Sequence, residues 1–161
     1  MKYSREHFIN KLIEHEGLVL EVYKDSLGID TIGIGRNLED RGISPIELED
    51  MNIPNMEHIY EYGITEPDAI MLAGNDIEIV EKELCDAHPC VKDLDEVRQL
   101  VLMDMAFNMG VPRLCKFQKM WNAIHEEKYD VAAKEMLDSR WANQVKSRAV
   151  KLANAMHNGE F

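Results

Sequence analysis

The chain has 161 residues, 45% hydrophobic and 30% charged, a balance that excludes a disordered or collagen-like polypeptide and fits one globular domain able to bury a core without disulfides or metals. Against 18 Lys and Arg stand 30 Asp and Glu, a formal net charge of -12, so the chain as a whole is a poor generic binder of nucleic acid or anionic membranes. The basic residues gather late: between Asp138 and Glu160 the only charged side chains are the cations Arg140, Lys146, Arg148 and Lys151, a candidate surface for an anionic polymer.

In chain order, Ser4 can cap a first helix that carries Phe8, Ile9, Leu12 and Ile13 on one apolar stripe. Glu16 continues that stripe and Gly17 supplies the stop, which leaves a carboxylate at the helix end on the side facing the protein. From Leu18 to Leu38 the pattern changes to a hairpin or small antiparallel sheet, with Asp25-Ser26-Leu27-Gly28 as turn and Gly33 and Gly35 marking close approach by another backbone or a ligand. Ser44-Pro45-Ile46-Glu47 combines a capping box with proline at the first helical position. Met51 to Gly63 gives no clear pattern. Thr65-Glu66-Pro67-Asp68 opens a longer helix carrying Ile70, Ala73, Ile77 and Val80. Further helices follow: one with Leu94, Val97, Val101 and Met105 that stops at Gly110-Val111-Pro112, one marked by Leu114, Phe117, Trp121 and Ile124, one over Val131 to Leu137, and a last one carrying Val145, Ala149, Leu152 and Met156.

The three cysteines, Cys85, Cys90 and Cys115, are too few and odd in number for a disulfide framework, which points to a reducing compartment. Met1 to His7 lacks an apolar signal core, and no apolar run approaches the ~18 residues that span a bilayer. Cys85 to Cys90 with His88 is too cramped for a zinc site and reads as a helix-end loop. Gly33-Ile34-Gly35 lacks the third glycine of a dinucleotide fingerprint, and His15-Glu16 lacks the second histidine of a zinc protease. The methionines, 10 in number, lie mostly on predicted helices and read as packing.

Glu16, Asp25 and Thr31 form the informative group: a helix-end carboxylate, a turn carboxylate and a strand hydroxyl. Glycoside hydrolysis needs two carboxyl groups in unlike environments, one donating a proton to the leaving oxygen and one ionised to act on water or on the sugar. On residue types alone, solvated surface carboxylates are the commoner reading in so acidic a chain.

The segment Glu16-Gly17-Leu18 through Tyr23-Lys24-Asp25, then Gly28 and Thr31-Ile32-Gly33-Ile34-Gly35, resembles the active-site segment of phage lysozymes of the T-even type, a glycoside hydrolase family. Ile64-Thr65, Phe107 with Met109-Gly110, Ser139-Arg140-Trp141, Asn143-Gln144 and Arg148 extend the resemblance along nearly the whole chain, with a poor stretch from Glu39 to Gly63. The resemblance implies an α+β, mainly helical lysozyme-like fold. A small antiparallel β lobe with the N-terminal helix (1–64) would be joined by a long interlobe helix (65–88) to a helical lobe (89–161), with the cleft between hairpin and helical body. It implies cleavage of the β-1,4 bond between N-acetylmuramic acid and N-acetylglucosamine in peptidoglycan, without a cofactor. Glu16 would be the general acid, Asp25 the second carboxylate and Thr31 the holder of the attacking water. Phe107 would line the cleft, with core packing on a methionine-rich helix as its other reading, and Arg148 would lie against the catalytic Glu.

That arginine sets up a tension, since a nearby cation favours the ionised carboxylate and a general acid must keep its proton. A C-terminal surface salt bridge is the plain alternative for Arg148. The family's histidine after the Gly-x-Gly strand is Arg36 here, and Met120 and Glu135 replace polar sugar-contacting side chains, so those family roles do not carry over. The resemblance further implies a monomeric endolysin that accumulates in the host cytoplasm, binds no nucleic acid, does not insert stably in membranes and reaches the periplasmic wall through a separate holin-like protein. A lytic transglycosylase, or a non-catalytic wall-binding virion module on the same fold, stands as the alternative.

Overall fold

A computed structural model describes all of residues 1–161, and the chain packs as two units: Arg5–Asp76, and Met1–Ser4 together with Ile77–Phe161. In the first unit, helix α1 (Arg5–Glu16) buries Phe8, Ile9 and Leu12, and its end is closed by the Gly17 N–H donating to the Ile13 carbonyl at 2.9 Å. Gly17 takes φ +79°, the left-handed conformation that suits glycine at a helix stop. Strands β1 (Val19–Lys24), β2 (Asp30–Gly33) and β3 (Arg36–Asn37) then form an antiparallel sheet in the order β1-β2-β3. Tyr23 pairs with Thr31 and Lys24 with Asp30, and an irregularity between Val19 and Tyr23 bends the first strand.

Helix α2 (Pro45–Asp50) begins with the expected capping box: the Glu47 N–H donates to Ser44 Oγ at 3.1 Å and the Ser44 N–H to Glu47 Oε1 at 3.0 Å. The unreadable stretch contains a further short helix, α3 (Met56–Tyr62), capped by Asn55, whose side chain accepts from the His58 N–H. Gly63 ends it at φ +73°, and the next amide, of Ile64, donates to the Leu20 carbonyl at 2.8 Å. A Cβ on Gly63 would lie 2.1 Å from that same carbonyl, so only glycine lets this strand and helix meet. Ile32, Met51, Ile59, Ile64, Ala69 and Leu72 are the apolar centre of the unit. Ile59 is wholly buried, and truncating it to alanine should cost about 2–5 kcal/mol.

Helix α4 (Glu66–Ala87) starts at the predicted box, with Thr65 Oγ1 accepting from the Asp68 N–H and Asp68 Oδ2 from the Thr65 N–H. Its buried residues are Ala69, Leu72, Ala73, Ile77 and Leu84, whereas Ile70, expected on the apolar face, is 38% exposed. Residues up to Asp76 belong to the first unit and those from Ile77 to the second.

In the second unit, Pro89–Asp93 forms a tight helical turn before α5 (Glu96–Met109), and every residue from Gln99 to Ala106 is buried, so α5 is the central helix of the unit rather than a one-sided one. Buried Gln99 is satisfied: its Oε1 accepts from the Lys2 N–H at 2.7 Å and its Nε2 donates to the Val91 carbonyl at 2.9 Å. Gly110 stops α5 as expected, but the next segment is two helices, α6 (Val111–Cys115) and α7 (Gln118–His125), not one. After α8 (Tyr129–Leu137), Ser139 caps α9 (Arg140–Val145), and α10 (Ser147–Asn158) follows a break at Lys146, φ +50°; Val145 thus ends α9 and is not part of the last helix. No helix is long and apolar enough to cross a membrane.

Candidate active site

Glu16, Asp25 and Thr31 all lie in the first unit. Glu16 is the last residue of α1 and half-buried. Asp25 follows the last residue of β1, and its Oδ1 accepts from the backbone N–H groups of Leu27 at 2.8 Å and Ile29 at 2.9 Å, while Oδ2 has no hydrogen-bond partner in the protein. The turn that the sequence predicted is therefore also the device that orients the carboxylate. Thr31, only 4% exposed, sits on β2 and donates its hydroxyl proton to the Ile29 carbonyl at 2.9 Å. With the proton committed, Thr31 Oγ1 can meet a water only as an acceptor.

Tyr23 links the group. It is the cross-strand partner of Thr31, and its phenol is pushed up by burial, then by the charge of Glu16, then by that of Asp25. Both carboxylates are thus within electrostatic reach of one side chain. On the other side of Glu16 lies Gly35: a Cβ built there would sit 3.5 Å from Glu16 Oε2 and 3.7 Å from Glu16 Cβ. The structure gives Gly35 and Gly33 a different reason from the expected close approach of a backbone or ligand: an added Cβ would meet Glu16 and Ala69 only at ordinary van der Waals distance, and both residues take positive φ, +72° and +70°.

Arg36 follows Gly35 and is 2% exposed. It holds Glu47 through both terminal nitrogens, at 3.0 and 2.9 Å, and Asp76 through Nε at 3.0 Å. No local signal selects these two acidic partners, 11 and 40 positions away.

In the second unit Arg148, on α10, puts Nε at 2.9 Å and Nη2 at 2.8 Å from Asp104 Oδ1 of α5. The two side chains are 11% and 4% exposed, so this pair is buried rather than a surface salt bridge. Asp104 was not singled out in the sequence, because a lone acidic residue inside an apolar run carries no periodic signal. Phe107 is half-buried near the end of α5. Met120 and Glu135 both line a pocket of about 420 Å³ with Lys116, Phe117, Asp138 and Ser139. No group of three or more His, Cys, Asp or Glu side chains is arranged to hold a metal ion.

A mainly helical chain whose small antiparallel sheet carries a carboxylate turn beside a helix-end glutamate has the architecture of an α+β lysozyme-like hydrolase. Residues 13–155 match the family model described as phage lysozyme, and the chain belongs to that family. It is 31% identical over 153 residues to "Probable T4-type lysozyme 1" of Dictyostelium discoideum, covering 89% of each chain. It is 28% identical over 152 residues to "Probable T4-type lysozyme 2" of the same organism, again covering 89% of each. It is also 29% identical over 156 residues to the "Pre-baseplate central spike protein Gp5" of Enterobacteria phage T4, of which the match covers 27%. These relatives support a lysozyme enzyme.

Proposed function

We infer that the protein is a peptidoglycan hydrolase of the endolysin type that cleaves the β-1,4 bond between N-acetylmuramic acid and N-acetylglucosamine. The observation that carries this reading is the placement of two half-buried carboxylates, Glu16 and Asp25, around Tyr23 in one unit, each held by a different local device. Glu16 donates the proton to the leaving oxygen. Asp25, with one oxygen occupied by two backbone amides and the other open, is the second carboxylate. Thr31 accepts from the attacking water and so turns a lone pair of that water toward the sugar. No cofactor takes part, the working form is a monomer in the host cytoplasm, and a separate holin-like protein admits it to the wall.

The decisive measurement is clearing of permeabilised Gram-negative cells by the protein and by Glu16→Gln, with mass spectrometry of the released muropeptides. Clearing by the native chain, loss of about 100-fold or more in Glu16→Gln and reducing-end products support hydrolysis. Anhydro products indicate a lytic transglycosylase instead, and equal clearing by both proteins removes Glu16 from the reaction. The likeness to a spike protein supports a second reading, in which the enzyme is carried on the virion. Its presence in purified particles separates the two.

A further inference from the structure

The turn that carries Asp25 is braced from within. Besides the two amides on Asp25 Oδ1, the Asp25 N–H donates to the Ile29 carbonyl and the Gly28 N–H to the Asp25 carbonyl, both at 2.9 Å. Ile29 is the pivot: its N–H holds the carboxylate, and its carbonyl takes the amide proton of Asp25 and the hydroxyl proton of Thr31. These bonds fix Asp25 and Thr31 relative to each other. Where the turn stands as a whole is set at its root, the cross-strand pair Lys24 and Asp30. Asp30 lies between Ile29 and Thr31 in the chain and is tied at four points. Its Oδ1 meets Lys24 Nζ at 2.6 Å, its N–H donates to Glu39 Oε2 at 2.8 Å, its carbonyl accepts from the Leu38 N–H at 2.9 Å, and its Oδ2 accepts from the Tyr60 hydroxyl at 2.8 Å. The first three stay within the sheet and the loop after it. The fourth comes from 30 positions away, from α3, the helix in the stretch that gives no pattern in the sequence.

We propose that Tyr60 is a positioning residue for the reaction: through Asp30 it anchors the root of the β1–β2 turn to α3 and so places Asp25 and Thr31 together. This rests on the reading of Asp25 as the second carboxylate. The anchor is firm at its far end, because the neighbouring Ile59 is wholly buried and the segment after α3 is joined to β1 by the Ile64 N–H on the Leu20 carbonyl. Lys24 does not serve the same purpose. It belongs to the hairpin and its side chain is largely exposed, so it closes the root without tying it to another element. The direction of the Tyr60 bond is settled at neutral pH. The bonds from Lys24 and then Tyr60 hold the Asp30 carboxyl below its ordinary value, and that carboxylate in turn pushes the phenol up, so Asp30 accepts and Tyr60 donates. Water competes for so exposed a network, which adds little to stability. Its effect is on rate, since a displacement near one ångström at a reacting group costs on the order of 100-fold.

Tyr60→Phe deletes one oxygen from an exposed ring and leaves the buried face of α3 intact. Asp30→Ala removes the acceptor, and Tyr62→Phe, on the same helix, is the control. All are assayed on a soluble glycan of wall repeating units, at a temperature where circular dichroism shows them fully folded. Loss of one of four ties releases part of such a displacement. The expected result is a fall in kcat of about 3-fold to 10-fold in Tyr60→Phe, with KM held within about twofold and no change in Tyr62→Phe. Asp30→Ala should lose at least as much, and adding Tyr60→Phe to it should cost nothing more, because the tyrosine acts only through that carboxylate. A structural role alone would shift Tm and leave kcat of the folded protein unchanged, and that outcome in Tyr60→Phe overturns the inference. So does a second fall of the same size when Tyr60→Phe is added to Asp30→Ala, or an equal fall in Tyr62→Phe. Asp25→Asn, run in the same assay, tells the two failures apart: full activity there sinks the assignment of Asp25 and the inference with it, whereas its inactivity beside a normal Tyr60→Phe sinks only the role given to Tyr60.

Discussion

Burial by itself would push the Glu47 carboxyl above its ordinary value; hydrogen bonds from Arg36, from Asn75 and from the Ser44 backbone, with the Arg36 charge, outweigh it and hold the group down at about 2. A carboxyl depressed in the folded state from 4.5 to about 2 gives stability that is complete above the upper value and is lost as pH falls through that window. The contribution is on the order of 3 kcal/mol. Thermal unfolding followed down through this range should show a steep loss of Tm in the native chain. In Glu47→Gln the curve should be flatter in that window and lower at neutral pH, since a buried guanidinium has lost its counter-charge. An acid limb of unchanged slope in Glu47→Gln would place the acid-labile group elsewhere. At this scale the candidate group was legible because it is local: Glu16, Asp25 and Thr31 fall within one stretch of chain and two of them sit at turn signals. Arg36 with Glu47 and Asp76, and Arg148 with Asp104, were not, because folding selects those partners from 30 acidic residues by distance in space.

At the scale of elements, the helices read best where a cap and a one-sided stripe coincide, as at Ser44 and Thr65. They read worst where one signal is missing. Helix α3 carries Ile59 as its only fully buried residue among exposed acids and tyrosines, so its pattern is too short for a period to appear. Helix α5 is read correctly from Val97, Val101 and Met105 and from its stop at Gly110, but a one-sided set does not show that the helix is buried on all sides over Gln99 to Ala106. Between α6 and α7 the break falls at Lys116 and Phe117, neither of them a glycine or proline, and so carries no punctuation. The contact between the Pro89–Asp93 turn and α7 also has a consequence for pH. His88, at the start of that turn, stacks on Trp121 at 3.7 Å with the rings within 6° of parallel. Its pKa is lowered by burial and then by His125, whose ring is 6.5 Å away. A histidine depressed in the folded state supports the fold fully above its ordinary value of 6.5 and progressively less as pH falls below it. Tm should therefore decline on mild acidification, above the range where Glu47 acts. His88→Phe, which keeps a flat ring on Trp121 but cannot take up a proton, should remove this decline. A decline of equal size in His88→Phe would move the effect to another histidine.

For the molecule as a whole, charge is divided more sharply than the net figure suggests. The unit Arg5–Asp76 has 16 acidic against 5 basic residues, net -11, while the remainder has 14 against 13, net -1. Peptidoglycan is itself anionic through its peptide carboxylates, so under the proposed function the unit that holds Glu16 and Asp25 is repelled by its own substrate. Arg140, Lys146 and Lys151, all exposed and without an acidic residue between Asp138 and Glu160, oppose that repulsion locally. Which term wins depends on reach. At about 0.01 M salt the screening length is ~30 Å and the full net charge acts on the polymer; near 0.15 M it is ~8 Å and only groups at the contact count. Hydrolysis of isolated sacculi should therefore be slow at the lowest ionic strength, climb as the long-range repulsion is screened, and fall again once the short-range cationic contacts are screened as well. An uncharged soluble oligosaccharide should show neither limb. Replacing Lys146 and Lys151 together by glutamate should depress the low-salt rate further and abolish the maximum, leaving a rate that only rises with salt. A native rate that falls monotonically from the lowest salt would mean that the cationic stretch governs encounter at every distance and that the acidic unit does not face the wall.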